Sequence, residues 1–230
     1  MLRFSHAAMQ YDAGDERAGQ GVDPSQNPMV QLTPVTRDDI ARVARWLEDP
    51  EIAEMWFGRY TYGAPAHLGY EPKKMLEKSD EELRDIFSHS HHESSRLFFS
   101  VLTMEGEHIG EAQASIDEAI GDAQISILIG RTFMWNRGYG TAATLGLLEY
   151  IFDDLELYRA WADVPEFNAG ALAMFEHIGF RHEGTLRSSR PHQGARFNSV
   201  IMGMLVEEYR QLYPRGVNGQ VVDCDGRHTV

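Results

Sequence analysis

The sequence predicts an α/β domain with a mixed sheet, and three observations carry that prediction. After a short first strand, the helix-like and strand-like stretches follow in the order α-α-β-β-β-α-β-α-β-β, which is not strict βαβ alternation. Two apolar runs, "RLFFSVLTM" and "HIGEAQASID", are separated only by Glu105-Gly106-Glu107 and read as a β-hairpin. A third run, "AQISILIG", leads through "WNRGYGTAAT" into "LGLLEYIFDDL", a strand joined to a helix across a glycine pair.

Residues 1–28 hold Gly, Asp, Gln, Ser and Pro without sustained periodicity and read as a tail or loosely docked arm. The fold should begin at the short strand "MVQLTPV". Thr36 can then cap a helix with Asp38 and Asp39 in its first turn and an apolar stripe of Ile40, Val43, Ala44 and Leu47. The aromatic, Gly- and Pro-containing stretch 53–72 reads as a long binding loop. Ser79 and Glu82 form a capping box opening a second helix. After the glycine pair a helix should run to about Leu155, followed by a strand "YRAWADV" and a helix "NAGALAMFEHIGF" ended by Gly179. Strands "FRHEGTLR" and "RFNSVIMGML" around the turn "PHQG" close the domain, and residues 215–230 read as a C-terminal tail.

With 230 residues, 43% hydrophobic and 24% charged, the chain fits one globular domain with tails. Its formal charge of -14 argues against broad contact with nucleic acid or an anionic membrane and suits a cationic or amine partner. The single Cys224 allows no intrachain disulfide. No secretory h-region and no membrane-length apolar window is present, so a cytoplasmic protein is expected.

Gly138 and Gly140 let backbone approach a ligand closely or adopt positive φ. The helix that follows offers unpaired N–H groups at the positive end of its dipole, and Arg137 adds a charge. An anion such as a phosphate is therefore expected, although a tight turn alone would look the same. Gly138, Gly140 and Ala143 even match the dinucleotide pattern G-x-G-x-x-A, with Asp163 downstream. Seven residues, Arg131 to Arg137, separate the strand from the first glycine, and the loop does not open a βαβ unit. Both points disfavour a dinucleotide, and the absence of Gly-Lys-Ser/Thr excludes a Walker-type loop.

Taken together, "ISILIG", "WNRGYGTAA" and "FNAGALAMFEHIGFRHEGTLR" resemble the GNAT family of N-acetyltransferases. Within it the sequence is most similar to the branch of ribosomal-protein N-terminal acetyltransferases, which "GARFNSVIMGMLVEEYR" also resembles. The resemblance spans about residues 29–214. It implies a mostly antiparallel sheet splayed between two strands, and acetyl-CoA as co-substrate without a metal. The coenzyme's pyrophosphate would rest on backbone around Arg137, Gly138, Tyr139, Gly140 and Thr141, and its pantetheine arm along Ile127, Leu128 and Ile129. Asn168 matches the family's asparagine and should touch the cofactor or fix the loop, or cap the next helix. Phe175 stands where many members carry a general-acid tyrosine, and Ala171 where the N-terminal branch often has serine.

The implied reaction is direct acetyl transfer to a primary amine: a protein N-terminus, an amino sugar or aminoglycoside, or a small amine. An alkyl ammonium titrates near ~10 and an α-amino group near ~8, so a base or proton path helps. Glu111, on the strand "HIGEAQ", and Asp163 are the candidate bases, and either can instead bind the ammonium. A strand N–H near Ile129 can meet the oxyanion. Without a tyrosine at position 175, Tyr139 or water would protonate the thiolate. A non-catalytic acyl-CoA-binding module is the rival reading. His89, His91 and His92 read as a solvated loop and not as a metal site. Trp46, Trp56, Phe57, Tyr60 and Tyr62 are packing or substrate wall, and Glu48, Asp49, Glu51 and Glu54 a solvated helix end or a lure for a cation. The expected partner is a small-molecule or peptide amine, with the chain a monomer or homodimer.

Overall fold

The computed structural model describes residues 21–57, 71–87, 96–192, 194–217 and 220–221. His89, His91, His92, Tyr60, Tyr62, Cys224 and residues 1–20 lie outside the described residues. Eight strands form one sheet: β1 Val30–Pro34, β2 Arg96–Thr103, β3 His108–Asp117, β4 Asp122–Ile129, β5 Arg159–Pro165, β6 Arg181–His192, β7 Ala195–Leu205 and the short β8 Gln220–Val221. Their order is β6-β7-β5-β4-β3-β2-β1-β8, with β4–β5 and β1–β8 parallel and the other neighbours antiparallel. The mixed, mostly antiparallel sheet expected from the sequence is what forms.

Helix α1, Arg37–Trp46, opens with a capping box in which the Thr36 N–H donates to Asp39 Oδ2 at 3.0 Å and the Asp39 N–H donates to the Thr36 hydroxyl at 3.3 Å. The expected loop over 53–72 is corrected at its start. Residues Pro50–Phe57 form helix α2, with proline in its first turn and the Glu51 N–H donating to Asp49 Oδ1 at 2.9 Å. Helix α3 is Pro72–Met75, and α4, Asp80–Phe87, carries the expected Ser79/Glu82 box. Helix α5, Tyr139–Glu149, passes into a wider turn over Tyr150–Asp154, close to the expected end. Helix α6, Ala169–Ile178, stops at Gly179 with φ 114°. A final helix, α7 Val206–Leu212, was not anticipated, and β6 takes in Pro191 and His192 of the expected turn.

Period-two alternation divides the sheet between two cores. Phe99, Ala112, Ile125, Ala162 and Val164 belong to the larger, with α5 and α6. In α5 six consecutive residues, Ala143 to Leu148, are buried, the pattern of a helix enclosed on all sides. Phe98 and Leu128 face the other way, against Val43 of α1, Leu47 just after it, and Ile52 and Trp56 of α2. Residues 21–28 also rest on the fold: the Val22 N–H donates to the Tyr213 hydroxyl at 3.2 Å. Among the described residues no helix is long and apolar enough to cross a membrane.

Beneath α1, His108 is buried with Nδ1 3.3 Å from Asp39 Oδ1 and its ring against Trp46. Burial pushes its imidazole below the ordinary range, more than the nearby Asp39 carboxylate raises it. The folded state therefore binds the proton less readily than the unfolded chain, whose imidazole titrates near ~6.5. The resulting stability is present above that pH and is lost as pH falls. Urea unfolding should give a midpoint that drops between pH 7 and pH 5, and the drop should be shallower in His108→Gln.

Candidate active site

Strands β4 and β5 start as neighbours, but only Asp122↔Arg159, Ala123↔Ala160 and Gln124↔Trp161 are paired. Beyond these pairs each strand stays bonded to its outer neighbour, β3 or β7, so the sheet opens between them. A cleft of about 450 Å³ occupies the opening, walled by residues 125–129 of β4 and 162–165 of β5. The side of the sheet carrying α5 and α6 contributes Gly138, Gly140, Thr141, Ala171, Met174 and Phe175, while α2 contributes Ile52, Met55 and Trp56. The cleft thus has a helix N-terminus on one side and a mainly apolar chamber on the other.

The glycine loop is built as its sequence suggested. Gly138 is left-handed at φ 84° and precedes the first turn of α5. A Cβ there would lie 2.8 Å from both Asn27 Oδ1 and Pro28 Cδ, so the close approach of residues 27–28 also requires glycine. Helical bonding begins with the Ala142 N–H donating to the Gly138 carbonyl at 2.9 Å, which leaves the N–H groups of Tyr139, Gly140 and Thr141 without a carbonyl of their own helix. These donors beside an open cleft fit a pyrophosphate. Arg137 is exposed next to them.

Other expected residues land differently. Asn168 spends both ends of its amide on protein. Its Oδ1 accepts the Ala171 N–H at 3.1 Å, capping α6, and its Nδ2 donates to the Met55 carbonyl at 2.8 Å, fastening α2. Asn168→Ala should lower stability by about 2 kcal/mol, a cap plus a hydrogen bond, seen as a fall in melting temperature of roughly 4–8 °C. Phe175 lines the cleft but packs edge-on against Phe180, and its ring can only fill space. Tyr139 is half-buried on the larger core and is not part of the cleft wall. Among the described residues, the hydroxyl-bearing side chains in the wall are Thr141 and Ser126.

The two candidate bases separate clearly. Glu111 is buried on β3 opposite Leu128, accepts a hydrogen bond from Gln113 Nε2 at 2.5 Å, and does not reach the wall. Its carboxylate is held along β3 by Gln113, one strand removed from the cleft, while its cross-strand neighbour Leu128 is the residue that lines the wall. Asp163 does line the cleft. Its Oδ2 accepts from Arg190 Nη2 at 2.5 Å, and its Oδ1 is buried without a hydrogen-bond partner. Arg190 reaches it across β7, donating on the way to the Ser199 hydroxyl at 2.8 Å. An irregularity in β6 between Leu186 and Arg190, with Ser188 at φ 52°, re-aims that side chain.

Three wall features escaped the sequence reading. Ser126 accepts from Trp56 Nε1 at 2.7 Å, tying α2 to β4. Trp135 Nε1 donates to the Ile129 carbonyl at 2.8 Å, holding the end of β4. Phe167, before α6, is stacked on His192 at 3.9 Å. His192 in turn sits 3.2 Å from Glu54 Oε2, while Glu48 pairs with Lys73. The described residues contain no group of three or more side chains suited to a metal ion.

The sequence matches the Acetyltransferase (GNAT) domain family over residues 30–181. It is 30% identical over 48% of its length to "Uncharacterized N-acetyltransferase p20" of Bacillus licheniformis, and spans 63% of that relative. It is 26% identical, over 70% of this chain and 79% of the relative, to an aminoglycoside N(6')-acetyltransferase type 1 of Klebsiella pneumoniae. The fold superposes on spermidine N-acetyltransferase from Vibrio cholerae, solved in complex with CoA and spermine, with a TM-score of 0.63 and 21% identity over 80% of this chain and 98% of the other. These relatives do not single out the ribosomal-protein branch. The chain belongs to the GNAT acetyltransferase family, enzymes that use acetyl-CoA as the acetyl donor.

Proposed function

We propose that the chain transfers an acetyl group from acetyl-CoA directly to a small-molecule primary amine in the cleft between β4 and β5. The observation that carries the reading is that one cleft between the parted strands holds both the start of α5, with its unpaired N–H groups, and the carboxylate residue Asp163. The N–H groups of Tyr139, Gly140 and Thr141 would hold the pyrophosphate, and the open edge of β4 at Ile127 to Ile129 would lie beside the pantetheine arm. Acetyl-CoA supplies the activated acetyl group as a thioester. An N–H of that edge can receive the developing oxyanion. The carboxylate of Asp163, a residue of the cleft wall, would orient the incoming amine and accept its proton as the new bond forms. The hydroxyl of Thr141 or Ser126, or water, returns a proton to the departing thiolate, and Tyr139 is the less suited donor because it lies off the wall.

By their names the relatives above act on aminoglycosides and spermidine, which supports an amine acceptor and gives no support to a protein N-terminus. Calorimetric titration with acetyl-CoA, paired with thiol release over a panel of amines, tests the proposal. Binding together with amine-dependent release of CoA is expected. Binding without release from any amine would leave the non-catalytic module that Phe175 and Ala171 suggest, and no binding would end the reading.

A further inference from the structure

The last residue of β4 turns two backbone groups toward the cleft, and the protein engages one of them. The Gly130 N–H donates to the Ile109 carbonyl at 2.9 Å, so it faces β3. Across that trans peptide the Ile129 carbonyl points the opposite way, into the opening between β4 and β5. An extended residue directs its own N–H and C=O to the same side of its strand, so the Ile129 N–H faces the opening as well. Pairing with β5 runs only to Gln124↔Trp161, and beyond it these groups meet the cleft instead of a strand. Trp135, on the connection to the glycine loop, takes the carbonyl: its Nε1–H donates to the Ile129 oxygen at 2.8 Å. From behind, the Trp46 indole rests so closely on Gly130 that a Cβ there would collide with it, which holds the same peptide unit in place. Ile129 and Trp135 both line the cleft.

A bare strand edge is a poor site for an anion. Beside each N–H it sets a carbonyl oxygen of the same sign as the anion, and the repulsion offsets much of the hydrogen bond. With its carbonyl engaged by an indole N–H, the end of β4 acts toward the cleft as a donor alone. We infer that Trp135 is a positioning residue for acetyl transfer: it sequesters the Ile129 carbonyl and so reserves the Ile129 N–H for the oxyanion. As the amine nitrogen bonds to the thioester carbon, the carbonyl π pair moves onto oxygen and the amine's proton passes to Asp163. When that pair returns, the C–S bond breaks and the coenzyme thiolate leaves, to be protonated as above. The inference rests on the acetyltransferase reading and adds to it a residue that acts only through β4.

Two substitutions at position 135 test this, with thiol release measured on the best amine of the panel above and acetyl-CoA affinity by calorimetry. Trp135→Phe keeps a ring and removes the donor. Benzothienylalanine at the same position keeps the indole's shape, with sulfur in place of the N–H. Both should lower kcat by at least about tenfold, less than the roughly 10²- to 10³-fold of losing an oxyanion donor itself. KM for the amine and the acetyl-CoA dissociation constant should move by about twofold at most, because the lost interaction is made in the transition state. An unchanged kcat with the isosteric analogue would overturn the inference and leave the acetyltransferase standing. So would a loss that lies wholly in acetyl-CoA affinity or in melting temperature. If the unsubstituted chain binds acetyl-CoA and releases no thiol with any amine, the acetyltransferase reading fails first and this role with it.

Discussion

Asp163→Asn should lower acetyl transfer at neutral pH by roughly 10²- to 10⁴-fold, the range of a positioned acid–base group, with little change in acetyl-CoA affinity. Among the described residues only Asp163 brings a carboxylate to the cleft wall, and its Oδ1 is the oxygen not engaged by Arg190. Asparagine keeps the shape but neither attracts an ammonium nor takes its proton. The substitution also leaves the Arg190 guanidinium without its anion in a largely buried setting, which costs about 3–5 kcal/mol when a pair of this kind is broken. A melting curve therefore accompanies the assay: the rate loss must be measured on folded protein. Glu111→Gln, off the cleft wall, should disturb turnover far less, and a larger effect there than at Asp163 would reverse the assignment.

Gly138→Ala should weaken acetyl-CoA binding by at least about tenfold. At φ 84° an alanine costs about 1–2 kcal/mol in backbone strain alone. Its Cβ would also lie 2.8 Å from Asn27 Oδ1 and Pro28 Cδ, so the strap of residues 27–28 or the loop itself must move. Either movement displaces the three N–H donors at the start of α5. Gly140→Ala provides the contrast, because a Cβ there comes within 3.1 Å only of Met174 Sδ, the flexible end of a side chain. Calorimetry on both variants should show a clear loss in the first and a small one in the second.

Much of this architecture could be read from the residues because its causes are local. Thr36 with Asp39, and Ser79 with Glu82, announce helices by satisfying N–H groups a few residues away, and Gly179 ends α6 at a φ that glycine tolerates best. The glycine loop is equally local, since its donors belong to one helix turn. Helix α2 was hidden by its aromatic and Gly/Pro-rich surroundings, although Asp49 before Pro50 is an N-terminal signal. The site's polar heart was harder to foresee. Alternation along β3 and β5 separates two faces but does not say that the cleft opens beside β5, taking in Asp163 and leaving out Glu111. The Asp163–Arg190 pair spans 27 residues and crosses an intervening strand, so no spacing rule reveals it. Asn168 fits the family pattern, yet its amide joins α6 to α2, a link between segments 113 residues apart.

One cleft through the sheet that serves coenzyme and acceptor from opposite sides is a geometry that a crystal structure with coenzyme A bound would display. Pyrophosphate oxygens are expected at hydrogen-bond distance, about 3 Å, from the N–H groups of Tyr139, Gly140 and Thr141, with the thiol sulfur between β4 and β5 on the way to Asp163. A pyrophosphate held away from the start of α5, or a sulfur outside the opening between the two strands, would contradict it.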